Sequence, residues 1–522
     1  MHLLHEYFIK SSEKYPKNDA IIFDNYSISY EILHEEIKIW AGNINEFFDN
    51  ISNVKLKRIG ILGRKSLPVY AGELTSLFLG AAFIPLNPRF PIERLISILK
   101  ISKPEVIIVD NASIDCLLKV LKSEDVNPSL LFLPECDWKI PLIKNIKTIN
   151  KINIDSQKKL ENFCVVSENN HAYIMFTSGS TGNPKGVPIS HKNVASFIKY
   201  NKNIYDYEPN DRFTQFFEHT FDLSIFDIFM PLSIGAALCV PKDLDITSPR
   251  SFLEKNKISI WFSAPSALSM YRNNSILSKN ELSNIKLSLF CGEILDSNLV
   301  NYWFDVCPYT IIENLYGPTE LTISCARYRC NRNGENLNYH GGVAIGNTYP
   351  HLSYTLKNPE IADDGMLMGE LCVLGDQRFD GYLDLTNNKN IFYREKINKY
   401  TKEYYNTGDI VKVEKDIIFY VGRKDEQVKI NGFRVEVLEV ENTLKNILFQ
   451  EAVVIPWPFE NGQCKGLCAF ILSSSIDQKA LTNQLKETLP YYMIPKNFHV
   501  VSTFPLNSNG KIDKKLLRNL LK

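Results

Sequence analysis

The stretch Ile174-Met-Phe-Thr-Ser-Gly-Ser-Thr-Gly-Asn-Pro-Lys-Gly-Val187 joins an apolar run to a loop of glycines, hydroxyl residues and one lysine. Ala172 to Phe176 reads as a buried strand. In the loop, glycines permit positive φ and let backbone N–H groups come close to a ligand. Thr177, Ser178, Ser180 and Thr181 add hydroxyl donors, and Lys185 adds a mobile positive charge. Such a set makes an anion clamp suited to nucleotide phosphates. It departs from the Walker pattern G-x-x-x-x-G-K-[ST], because Pro184 precedes the lysine and Gly186 follows it. Proline offers no amide and pushes the residue before it away from helix. The competing reading is an ordinary polar hairpin loop, and the density of hydroxyls and glycines weighs against it.

Bulk properties narrow the field. A length of 522 residues predicts two to four domains. The 59 basic side chains equal the 59 acidic ones, so no charge excess points to nucleic acid or to an anionic membrane surface. No apolar run is long enough to span a bilayer, and the N-terminus carries charges where a signal peptide needs an apolar block. Eleven cysteines without C-x-x-C pairs read as reduced core residues of a cytoplasmic protein. Arg58 to Leu62 and Val106 to Val109 are apolar on both faces, which predicts a parallel sheet covered by helices.

The phosphate loop resembles the signature of the adenylate-forming superfamily, which comprises acyl-CoA synthetases, luciferases and nonribosomal peptide synthetase adenylation domains. Further motifs follow in the family's order. They are Tyr26 to Leu33, Leu77 to Pro88, Phe221-Asp-Leu-Ser-Ile-Phe-Asp227, Asn314-Leu-Tyr-Gly-Pro-Thr-Glu320, Tyr405-Asn-Thr-Gly-Asp409, Val421 to Glu436 and Pro505-Leu-Asn-Ser-Asn-Gly-Lys511-Ile-Asp513. Gly369 to Gly375 and Gly381-Tyr-Leu383 match more loosely, with Asp380 where the family often has arginine. Phe290-Cys-Gly-Glu293 resembles the equivalent strand of D-alanine:carrier-protein ligases. The resemblance covers nearly the whole chain. It implies an α/β fold: a large N-terminal domain of β-sheets flanked by helices, residues 1–422, and a small mobile α+β domain, residues 423–522, with a hinge near Asp425. Val437, Val440, Leu444, Ile447 and Leu448 follow helical spacing within the second.

The resemblance also implies site residues. ATP, with Mg²⁺, is expected against Thr177, Ser178, Gly179, Ser180, Thr181, Gly182 and Lys185, and against Asn314, Leu315, Tyr316, Gly317 and Thr319. Asp409 is expected to accept the ribose hydroxyls, with Arg423 at the ribose or phosphate. Glu320 is the implied metal ligand, Lys511 the catalytic lysine, and Thr177 a further catalytic residue. Asp222 is expected to bind the α-ammonium of an amino acid, although aspartate before a helical run also serves as an N-cap. The rest of the implied substrate pocket is Leu223, Phe226, Ser263, Leu289, Cys291, Gly292, Leu315, Ile323 and Ser324. His219 reads either as an aromatic spacer or as a satisfied histidine.

The expected activity is therefore a two-step ligation. A small or medium uncharged amino acid, alanine in its L or D form first and an L-amino acid such as serine or valine next, is adenylated and then passed to the phosphopantetheine thiol of a separate carrier protein. The chain ends eleven residues after Lys511, which leads to the expectation of a free-standing ligase. An acyl- or aryl-CoA ligase of the same superfamily is the alternative, and it would have no need of Asp222. A P-loop kinase is disfavoured by Pro184, and an inactive binding module by the joint presence of Lys511, Glu320 and Asp409.

Overall fold

The computed structural model describes residues 3–50, 55–138, 146–179, 183–332, 334–397, 400–460, 462–505 and 512–521. Two large sheets carry most of the mass. In the first, the strand order is Lys147–Asn150, Leu130–Leu133, Val106–Val109, Arg58–Leu62, Ala82–Leu86, His171–Thr177 and Lys185–Ser190. Every pairing is parallel except the last. Strand Val106–Val109 is buried at all four positions, as a run apolar on both faces requires. The apolar run 172–176 forms the body of strand His171–Thr177, which pairs antiparallel with strand Lys185–Ser190 on the far side of the phosphate loop.

The second sheet has nine strands. Its parallel centre runs Ile311–Tyr316, Leu287–Phe290, Ile260–Ser263, Arg212–Thr214, Ala237–Cys239 and Asp19–Ile22, with antiparallel strands at both ends. Two helices have almost no polar face, Leu67–Phe78 and Leu223–Leu232, and both are buried along nearly their whole length. A helix apolar on all sides has to be covered on all sides. These two lie in the core that joins the sheets, where Phe83 of the first sheet stacks on Phe229 of the second helix at 6.0 Å between ring centroids.

A five-stranded antiparallel sheet follows, built from Leu352–Ile361, Leu367–Gly375, Phe392–Ile397, Tyr400–Glu414 and Ile417–Arg423. Beyond Arg423 the described strands pair only with one another. They form a four-stranded sheet of 428–430, 433–435, 459–460 and 463–464, and a three-stranded sheet of Ala452–Pro456, Leu467–Leu472 and Asn497–Val501. Helix Val437–Leu448 buries Val437, Val440 and Leu444 as the helical spacing predicts, with Ile447 and Leu448 at its edge. All eleven cysteines are free, and no described helix is long and apolar enough to cross a membrane.

Candidate active site

The carboxyl ends of the parallel strands converge on one cavity of about 570 Å³, as expected for an open α/β architecture. Thr177 and Ser178 reach it from the first sheet. Cys291, Gly292 and the segment from Asn314 to Thr319 reach it from the second, and Asp409 and Arg423 from the third. Asp222 and Leu223 border it from the start of the buried helix, and Asp425 and Gly432 from the C-terminal stretch. The chain comes very close to itself at this wall. A Cβ on Gly317 would fall 2.5 Å from the Cα of Ser324.

Asp222 occupies the N-cap position of helix Leu223–Leu232, yet its side chain makes no capping hydrogen bond. Burial pushes its pKa up to about 6, against the pull of the Thr319 hydroxyl and the Lys429 ammonium. The carboxylate has no ion-pair partner within salt-bridge distance among the described residues. It is a desolvated acid on a cavity wall, able to take a cation. Cys291 beside it is kept a thiol, its pKa raised by burial to about 12.

At one end of the cavity, Asn314 donates both amide hydrogens to the carbonyls of Val343 and Ala344, at 3.2 and 3.0 Å. That orientation leaves its Oδ1 as an acceptor for an exocyclic amine. Tyr316 donates to Asp409 Oδ2 at 2.5 Å, while Asp409 Oδ1 takes Arg423 at 2.8 Å. Each carboxylate oxygen retains a further lone pair for a hydroxyl donor. Arg423 also forks onto Asp425, so the implied hinge residue is tied to the wall that carries Asp409.

The opposite wall comes from the hairpin of residues 428–435. Gly432 turns with φ +82° and donates its N–H to Glu293 Oε1 at 2.6 Å. Phe433 meets Phe221 edge to face at 4.6 Å between centroids. Arg434 donates to both oxygens of Glu320, at 3.0 and 2.9 Å, and Tyr382 donates to Oε1 at 2.7 Å. Burial alone would raise the Glu320 pKa, but Arg434 and Tyr382 outweigh it and hold the group below the usual value. No cluster of three metal-ligating side chains occurs among the described residues. Glu320 suits a hard cation that completes its shell with phosphate oxygens, and such an ion and Arg434 would exclude each other there.

Several implied residues lie elsewhere. Phe226 packs among Phe197, Phe213 and Phe262. Leu289 and Ile323 are fully buried in the core and do not border the cavity. The Ser263 hydroxyl accepts from Trp261 Nε1 and donates to the Ala264 carbonyl, and Ser324 is bonded to the Tyr349 hydroxyl. Lys185 sits over the Tyr382 ring at 5.7 Å. Gly179 lies in the hairpin turn without bordering the cavity. His219 is satisfied by Glu73 and the Leu86 carbonyl. Ser180, Thr181, Gly182 and Lys511 lie outside the described residues. Sequence reasoning assigned no role to Glu293, Tyr382 or Arg434. Only their positions inside quoted motifs, Glu293 near Cys291, Tyr382 within Gly381-Tyr-Leu383 and Arg434 near Gly432, could have singled them out.

The family model for AMP-binding enzymes matches residues 8–383, well over half of the chain. Bacitracin synthase 3 of Bacillus licheniformis is 30% identical over 98% of this chain, which spans only 8% of that protein. The D-alanine–D-alanyl carrier protein ligase of Listeria welshimeri is 28% identical over 97% of this chain and 96% of its own length. Among solved structures, the Vibrio cholerae adenylation domain AlmE, in complex with glycyl-adenosine-5'-phosphate, superposes with a TM-score of 0.84 at 26% identity, covering 99% of this chain and 97% of that one. The chain belongs to the AMP-binding enzyme family and is an ATP-dependent, AMP-forming ligase.

Proposed function

We infer that this ligase activates a small uncharged amino acid, D-alanine foremost, and passes it to the phosphopantetheine thiol of a carrier protein. The observation that carries the reading is Asp222, a buried acid on the cavity wall with no ion pair among the described residues. A desolvated carboxylate is costly unless a cation meets it. The α-ammonium of an amino acid supplies that charge, whereas a fatty or aryl acid leaves it unpaired. Leu223, Cys291 and Leu315 border the cavity and suit a short, uncharged side chain. The full-length likeness to a D-alanine–D-alanyl carrier protein ligase and the likeness to a domain holding a glycyl-adenylate support a small substrate and a carrier partner.

In the first step the substrate carboxylate attacks the α-phosphorus of ATP, the new O–P bond forms, and pyrophosphate leaves. Catalysis of this kind needs positioning and charge neutralisation and no protein nucleophile. Thr177 and Ser178 would hold phosphate oxygens, Asn314 the adenine amine, Asp409 the ribose, and Lys511 the charge developing on the α-phosphate. Magnesium, when bound through Glu320 and phosphate oxygens, would neutralise phosphate charge. In the second step the thiol attacks the acyl carbon and AMP departs. The docked Gly432 turn suits this step, because it closes the cavity on the side of Gly292. The boundary after residue 422, with Asp425 as the hinge, is supported by the strand pairing that stays within the C-terminal stretch.

The test is pyrophosphate release with MgATP and hydroxylamine across L- and D-amino acids, glycine, aryl acids and fatty acids. A peak on one small amino acid is the expected result. Turnover only of acids lacking an amine would replace this reading with a CoA ligase and return Asp222 to a structural role.

A further inference from the structure

Glu73 is the one charged residue of the buried helix Leu67–Phe78. Its side chain is wholly inaccessible, and Oε2 has no hydrogen-bond partner among the described residues. As a core-forming group it is a poor choice. A buried carboxyl with an unmatched oxygen costs free energy that an aliphatic side chain of similar size avoids. Burial accordingly pushes its pKa up, against the pull of His219. Neither Glu73 nor His219 borders the cavity.

The neighbours of His219 explain why the carboxyl is there. The ring lies with Nδ1 3.4 Å from Glu73 Oε1 and Nε2 3.3 Å from the Leu86 carbonyl. A carbonyl only accepts, so Nε2 carries a hydrogen. Nδ1 then either accepts from a protonated Glu73 or donates to its carboxylate, and in both states Glu73 fixes the ring. His219 stands three residues before Asp222, and its own carbonyl accepts from the Ser224 hydroxyl at 3.3 Å. Ser224 is the second residue of the helix that Asp222 precedes, so His219 holds the chain on both sides of the acid. A second anchor lies beside it. Phe221 N–H donates to the Glu218 carbonyl at 2.9 Å, and the Glu218 carboxylate takes the Arg64 fork and Asn87. Arg64 and Asn87 follow strands Arg58–Leu62 and Ala82–Leu86, so both anchors tie the Asp222 turn to the carboxyl edge of the first sheet. Asp222 makes no capping bond to its own helix, and its place is set from across the sheets.

We propose that Glu73 is a positioning residue of the amino-acid site: acting through His219, it sets where the Asp222 carboxylate meets the substrate ammonium. The carboxyl is retained in the core at a cost in stability because it orients a turn that no bond within its own helix holds. The inference rests on the reading of Asp222 as the ammonium site.

Steady-state pyrophosphate release by the full-length enzyme tests it, with MgATP, hydroxylamine and varied D-alanine, or the amino acid on which the panel peaks. Glu73→Leu is expected to raise the amino-acid KM about tenfold, the scale of one weakened charge-assisted contact, while kcat and the KM for MgATP move less than about threefold. The same variant is expected to unfold at a higher temperature, because it removes the unmatched carboxyl. Glu73→Gln keeps a donor toward Nδ1 and is expected to restore most of the KM. Glu73→Leu combined with His219→Phe is expected to cost no more than the larger single effect, since both break one link. An unchanged amino-acid KM, equal losses toward amino acid and MgATP, or additive single effects overturn the proposal. A lower unfolding temperature with KM unchanged marks a residue that only holds the core, and overturns it too. Should Glu73→Leu fail to fold, His219→Phe breaks the same link from the other side, and an unchanged KM there overturns the proposal. A wild-type enzyme that turns over no amino acid overturns the reading of Asp222 as well, whereas normal wild-type turnover with an indifferent Glu73→Leu overturns this inference alone.

Discussion

Asp222 and Glu320 are both buried carboxylates at one cavity, and their environments push them in opposite directions. Asp222, at the end proposed to take the acyl group, is desolvated and meets a hydroxyl and a more distant ammonium, and burial pushes its pKa up to about 6. Glu320, at the end proposed to take the phosphates, receives a guanidinium on both oxygens and a tyrosine hydroxyl, and stays below the usual carboxylate range. One end keeps a charge that a substrate can complete. The other is complete within the chain, because the C-terminal hairpin supplies Arg434, and it has to give up that partner before a metal ion can use it. The same residue type is thus specialised by its neighbours alone.

Lys511, proposed above to meet the charge developing on the α-phosphate, gives the largest expected effect. Lys511→Ala should lower hydroxylamine-trapped adenylation by about two to three orders of magnitude, the scale of removing a charge that meets a developing oxyanion. Near-wild-type adenylation would remove the phosphate end's catalytic charge from the comparison. At the acyl end, Asp222→Asn should cost at least about 30-fold in kcat/KM for the amino acid, and nothing for an acid without an amine. The same variant should be more stable. Because the folded pKa lies above the unfolded 3.8, protonation favours the fold below that value, and the benefit is lost as pH rises through 6. Asparagine avoids that loss, so chemical denaturation should show a gain of up to about 3 kcal/mol at pH 8 and almost none near pH 3.5.

A smaller effect separates the two carboxylates by titration. Amino-acid kcat/KM should fall about tenfold from pH 7 to pH 5 as Asp222 protonates, while Glu320, held low, stays ionised. The charges facing Asp222 are Lys429, which lowers its pKa, and Glu320, which raises it. A flat profile over that range would erase the contrast. Smallest of all, Tyr382→Phe removes one donor from Glu320 and should cost about 1 kcal/mol, or some fivefold in adenylation rate.

The parts that were legible in the sequence are local. The apolar run before the loop folds as the inner strand of a hairpin, the runs at 58–62 and 106–109 join a parallel sheet, and the helical spacing after Val435 yields helix Val437–Leu448. Each rests on a period or a run within about a dozen residues, so neighbours in sequence determine it. Residues carried from a family pattern into the acyl pocket fared differently. Leu289 shares a strand face with Cys291 but lies two residues deeper, where the core closes over it, and the Ser263 and Ser324 hydroxyls are taken by Trp261 and Tyr349.

The sequence by itself determined the family and the parallel α/β character of the core, since spacing and hydrophobic period are properties of the chain. Only the tertiary structure decided what each buried carboxylate is paired with. Arg434 with Glu320, Gly432 with Glu293 and Arg94 with Glu439 join residues 114, 139 and 345 positions apart. Their pairing depends on how the C-terminal stretch docks on the core, and burial then sets what each carboxylate can bind, because desolvation acts on position in space and not on position in sequence.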